Sequence, residues 1–87
     1  MVWKVELTDT ARRTLKKLDK AAAKRITTYL QEVASQADPH TKGKALLGNF
    51  QGYWRYRVGD YRIVCEIKDE KLVVLVVRIG HRKEVYE

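Results

Sequence analysis

Apolar and polar positions alternate from Val2 to Leu7: Trp3, Val5 and Leu7 share one side, Val2, Lys4 and Glu6 the other. That period predicts a short strand with one buried face. Thr8 or Asp9 can then cap a helix running from about Asp9 to Leu18. Ala11, Leu15 and Leu18 form its apolar stripe, and Arg12, Arg13, Lys16, Lys17 and Lys20 fill the remaining positions. Asp19 is the expected cap of a second helix with the face Ala22, Ile26, Tyr29, Leu30, Val33 and Ala37. Pro39 should end it, since proline restricts Asp38 and cannot donate to the helical ladder. A connection this short makes the two helices an antiparallel hairpin.

From His40 to Gly52 no period survives, and Gly43, Gly48 and Gly52 mark a loop that Leu46, Leu47 and Phe50 fold onto the core. Alternation returns from Tyr53 to Val58, turns tightly at Gly59-Asp60, and continues from Tyr61 to Lys68. Asp69 and Glu70, with or without Lys71, turn the chain into Leu72 to Ile79. That strand is apolar on both faces and is therefore expected inside the sheet. Gly80 to Glu87 reads as a polar tail. The order is β-α-α-β-β-β, an α+β fold in one domain spanning residues 1–87. An antiparallel helix hairpin packs on a small sheet that ends in a three-strand antiparallel meander.

Composition narrows the partner. At 45% apolar and 33% charged, the chain is too hydrophobic for disorder and too charged for a membrane protein. No segment has the roughly 20 apolar residues of a membrane span, and the first residues lack a signal-peptide layout. One cysteine, Cys65, excludes an intrachain disulfide and a two-cysteine zinc site, so a cytoplasmic setting is expected. The net charge of +7 favours nucleic acid, an anionic surface or an acidic protein.

The hairpin concentrates that charge. A two-residue turn sets Val58 opposite Tyr61, Arg57 opposite Arg62 and Arg55 opposite Val64, so Tyr53, Arg55, Arg57 and Arg62 share a face. Trp54, Tyr56 and Val58 take the other and read as core. Like charges directly opposite on a sheet repel, and guanidinium forks match phosphate oxygens, so the face suits a phosphate or RNA. The alternative is a surface network in which Asp60, Glu66 and Glu84 neutralise the arginines. Arg78 joins the row if the second hairpin has a three-residue turn; a two-residue turn pairs Val77 with Arg62 instead. In the tail, His81 can exchange a proton near neutral pH, Arg82 can stabilise a dianionic phosphorane, and Tyr86 can stack on a base. His40 reads as a surface residue and Cys65 as a buried structural thiol. The two histidines lie far apart and no carboxylate pair has ligand spacing, so no metal is expected. No glycine loop of the nucleotide-hydrolase kind is present, and no cofactor is expected.

The segment Tyr53-Trp54-Arg55-Tyr56-Arg57-Val58-Gly59-Asp60-Tyr61-Arg62-Ile63-Val64 and the ending Gly80-His81-Arg82-Lys83-Glu84-Val85-Tyr86, in this element order, closely resemble RelE-type toxins of toxin–antitoxin systems. The resemblance covers essentially the whole chain. It implies a metal-independent, ribosome-dependent endoribonuclease that cuts messenger RNA in the ribosomal A site, against 16S rRNA, and stops translation. It also implies a cognate antitoxin, and contact with operator DNA through that antitoxin. Cleavage in such toxins is attack by the ribose 2′-hydroxyl on the adjacent phosphorus. By the resemblance, Arg62 stabilises the transition state, Arg82 stabilises charge or protonates the leaving oxygen, and Tyr86 stacks on the nucleotide. Arg55 falls where well-known members have a general-base lysine, and a second such lysine falls near Tyr53. A guanidinium keeps its proton at any ordinary pH, so His81 is the natural replacement, with Lys42 and Lys44 as weaker candidates. Arg57, Lys42, Lys44, Tyr53 and Arg78 complete the expected RNA surface. The ending one residue after Tyr86 leaves no C-terminal helix to expect. ParE-type toxins share the architecture and poison DNA gyrase, but tend to lack the set Arg62, His81, Arg82 and Tyr86. A catalytically inactive RNA-binding member is the third reading.

Overall fold

Thr8 ends one element and starts the next. In the computed structural model, which describes residues 3–46 and 51–81 (backbone alone at 41 and 42), β1 is Lys4–Leu7 and α1 is Asp9–Lys17. The Thr8 hydroxyl accepts from the Ala11 amide at 3.2 Å, capping α1. Leu18 leaves the helix in an extended conformation and its amide donates to the Leu15 carbonyl. The Asp19 carboxylate then accepts from the Ala22 amide, opening α2 at Lys20–Ser35. With only Leu18 and Asp19 between the two helical runs, the helices double back.

α2 stops earlier than the proline predicts. Gln36 is extended, and the Ser35 hydroxyl and Gln36 side-chain amide both donate to the Glu32 carbonyl, closing the last turn. Ala37 is therefore exposed rather than on the buried face, and Ala34 takes its place beside Ile26, Leu30 and Val33. The expected loop is also partly regular. Pro39–Lys42 is a 3-10 turn capped by Asp38, and Lys44–Ala45 forms a short strand, β2. Leu47 and Phe50 lie outside the described residues.

The remaining strands are β3 (Trp54–Val58), β4 (Tyr61–Lys68) and β5 (Val73–His81), giving a five-stranded sheet in the order β1-β5-β4-β3-β2. β1 runs parallel to β5; every other pairing is antiparallel. β5 is interior, as its two apolar faces require. It begins one residue later than expected because the turn spans 69–72, with Leu72 at a φ of +55°. It also runs on through Gly80 and His81, which belong to the strand and not to a tail.

Both helices cover one face. Tyr56, Ile63, Cys65, Val74, Val76 and Ile79 from the sheet meet Ala11, Ile26, Leu30 and Val33 from the helices, closed off by Trp3. Burying one such large side chain stabilises by roughly 1.5–3 kcal/mol, so this layer fixes which face is left for polar residues. Among the described residues no helix is long and apolar enough to cross a membrane.

One irregularity matters for that outer face. Cys65 pairs with Val76 but Val64 pairs with Arg78, leaving Val77 as an extra residue in a β-bulge. Arg62 consequently pairs with Gly80, and neither of the two registers expected for the second hairpin occurs.

Candidate functional site: an arginine-lined sheet face

Residues directly opposite in a ladder project to the same side. Lys44 pairs with Arg55, Arg55 with Val64, and Val64 with Arg78. The neighbouring row is Arg57, Arg62 and Gly80. Five cationic side chains thus occupy two adjacent rows on the face away from the helices. Val64, only 4% exposed, is the apolar floor between Arg55 and Arg78. Gly80 puts no side chain across from Arg62. No ion pair with a carboxylate is found for Arg55 or Arg57 among the described residues, and Glu66 lies one row further along, opposite Leu75.

The expected face is therefore assembled, and enlarged. Arg78 joins it through the bulge and not through a three-residue turn. Lys44 joins it because β2 pairs with β3, an element too short to leave a period in the sequence. Tyr53 directly precedes β3, and Lys42 ends the 3-10 turn. Arg82 and Tyr86 lie outside the described residues.

His81 lies elsewhere. It pairs with Tyr61 on the helix side of the sheet, their rings edge to face with centroids 5.2 Å apart. Alternation puts it on the opposite side from Arg62, its neighbour across one ladder step. The two sides meet at the end of the β3–β4 hairpin. There Arg57, Gly59, Asp60, Tyr61 and Arg62 line a hollow of about 300 Å³. Gly59 has a φ of +58°, and a Cβ at this position would collide with the Arg25 guanidinium. Arg25 thus lies over the hairpin tip from α2. Its sequence position, one basic residue among several on an exposed helix face, gives no sign of that placement.

Other titratable groups are structural. The Tyr56 hydroxyl is raised out of reach at neutral pH, chiefly by burial, and it donates to the Pro39 carbonyl at 2.7 Å. Burial pushes the Cys65 thiol up to about 12, which leaves it protonated and unreactive. His40 is not a simple surface residue: its Nδ1 lies 2.6 Å from the Asp38 carboxylate and its ring packs edge-on against Trp54. The hydrogen bond from the His40 ring, followed by that from its backbone amide, holds the Asp38 carboxyl below its ordinary value. Among the described residues no three His, Cys, Asp or Glu converge on a metal-sized site.

What this arrangement can do is bind a polyanion along the sheet and neutralise charge that develops on a phosphate at the hairpin. Comparison with known proteins agrees with a toxin of this architecture. A family model for the ParE toxin of the type II toxin–antitoxin system parDE matches residues 5–86. Toxin RelG of Mycobacterium tuberculosis is 33% identical over 86 residues, 99% of this chain and 98% of that protein. A chain of the M. tuberculosis toxin–antitoxin complex RelBE2 superposes with a TM-score of 0.85 at 29% identity, covering 97% of this chain and 95% of that one. A chain of the archaeal RelE–RelB complex from Pyrococcus horikoshii shares the fold, with a TM-score of 0.75 at 20% identity over 98% of this chain and all of that one. The chain belongs to the RelE/ParE superfamily, the toxins of type II toxin–antitoxin systems.

Proposed function

We propose that the protein is a ribosome-dependent endoribonuclease that cuts messenger RNA in the A site, restrained by a cognate antitoxin. The observation that carries this reading is Arg57 standing directly opposite Arg62, with Arg55, Arg78 and Lys44 on the same face. Like charges directly opposite on a sheet repel, and a phosphate between two guanidinium forks would offset that repulsion. The antitoxin is supported by the similarity to a chain of the M. tuberculosis toxin–antitoxin complex RelBE2.

In the proposed reaction the 2′-hydroxyl loses its proton to a base and attacks the adjacent phosphorus. The bond to the 5′-oxygen breaks, leaving a 2′,3′-cyclic phosphate and, once that oxygen is protonated, a 5′-hydroxyl. Arg62 and Arg57 neutralise the phosphorane, Arg82 stabilises the charge on the leaving oxygen or protonates it, and Tyr86 stacks on the nucleotide. Two residues compete as base. Lys44 shares the arginine face, whereas His81 requires the RNA to cross the end of the sheet at the hairpin hollow. Translation of a defined message in a purified system, with mapping of 5′ ends, tests the proposal. Cuts should appear only with ribosomes, and Arg62→Ala should lower the cleavage rate by about 10²–10³-fold. An intact message with normal translation overturns it.

The ParE family match favours a second reading, a toxin that poisons DNA gyrase. It predicts inhibited supercoiling and DNA damage while translation continues, which the same preparation can report.

A further inference from the structure

The carbonyls of Val76 and Val77 both reach Thr8: its backbone amide donates to Val76 at 3.0 Å and its hydroxyl donates to Val77 at 2.8 Å. In a regular strand successive carbonyls point to opposite edges, so two consecutive ones can meet a single residue only where the strand is bulged. The Thr8 hydroxyl also accepts from the Ala11 amide, so its one proton is committed to Val77 and a lone pair to the helix. Pairing between β1 and β5 ends at Leu7 and Val76, which makes Thr8 the next tie along that edge.

The bulge decides what the outer face contains. Continuing the register of Cys65 with Val76 would set Ile63 opposite Arg78, and Arg62 opposite Ile79. A guanidinium would enter the layer where Ile63 and Ile79 are almost fully buried. With the bulge, Arg78 and Gly80 turn outward into the arginine rows and Ile79 turns inward. We propose that Thr8 is a positioning residue for the arginine face: by holding the Val77 carbonyl it fixes the bulge that sets Arg78 and Gly80 beside Arg55 and Arg62. The inference rests on that face being the RNA-binding surface proposed above.

Two variants separate this task from helix capping. Thr8→Asp keeps a capping acceptor but cannot donate to Val77; Thr8→Ser keeps both. Amide hydrogen exchange in the folded protein reads the clasp directly. In Thr8→Asp the amides of residues 78–81 should exchange about three- to tenfold faster relative to those of 73–76, and Thr8→Ser should match the wild type. Cleavage of message on ribosomes should fall in Thr8→Asp, and the double variant Thr8→Asp/Arg78→Ala should lose no more in total than Arg78→Ala alone. Unchanged exchange in Thr8→Asp, or fully additive losses, overturns the proposal. If wild-type protein cuts no RNA, the ribonuclease reading fails and the exchange result still decides whether Thr8 holds the bulge. Should Thr8→Asp fail to fold, Thr8→Ala replaces it: exchange that rises at residues 78–81 beyond the rise in the first turn of α1 supports the clasp, and a rise confined to α1 overturns it.

Discussion

The Tyr56 ring is fully buried, yet its hydroxyl finds the carbonyl of Pro39, and Gly43 lies so close that a Cβ there would sit 3.0 Å from the ring. One residue thus clamps the loop after α2 onto the strand that carries Arg55 and Arg57. Removing only the oxygen leaves that carbonyl buried without its donor, which costs about 1–3 kcal/mol. Tyr56→Phe should therefore lower stability by that amount, and each kcal/mol lowers Tm by about 4–8 °C in a domain this small. Urea and thermal unfolding check it; an unchanged midpoint would mean that water satisfies Pro39. The alternation of the strand places Tyr56 in the core. Its partner is not legible, because Pro39 precedes it by seventeen positions within a segment that has no period.

Among the elements, the β3–β4 hairpin was the most legible. A two-residue turn and strict alternation determine its pairing locally, and Arg57 opposite Arg62 follows. That pairing sets stability against binding. Arg57→Thr should raise folding stability by about 0.2–1 kcal/mol through relief of the repulsion, less in high salt. The same variant should bind RNA more weakly. A lower urea midpoint at low salt would show that the arginines are not repelling one another. The helices were nearly as legible, since Thr8 and Asp19 cap them as their positions suggest. The C-terminus of α2 falls short of the one Pro39 predicts because Ser35 and Gln36 bond back to Glu32 before the proline can act. β2 leaves no mark in the sequence because two residues cannot show alternation.

Across the whole molecule, a charge of +7 combines with a sheet that puts five cations in two rows on one side. Affinity for single-stranded RNA should fall with salt, and removing one cation that meets a phosphate should flatten the log–log slope by roughly 0.7. Titrations of a short oligonucleotide between low and physiological salt should show this for Arg62→Ala and Arg78→Ala. Arg13→Ala, on the exposed side of α1, should leave the slope unchanged. Equal effects from all three would mean that diffuse charge, not the arginine face, binds the RNA.

The amino-acid order by itself determined the two helices and their N-caps, the core side of β1, β3 and β4, and the shared face of Arg55, Arg57 and Arg62. All of these depend on residues a few positions apart, where turn chemistry and side-chain period act without distant help. The tertiary structure decided the rest of the site. Arg78 reaches the face through a bulge tied to Thr8, 69 positions from the Val77 carbonyl it holds, and Lys44 arrives on a strand that exists only by pairing with β3. His81 turns to the helix side because the same bulge resets the phase of β5. Registers between distant segments are settled by which side chains can be buried together, and no local period records that choice.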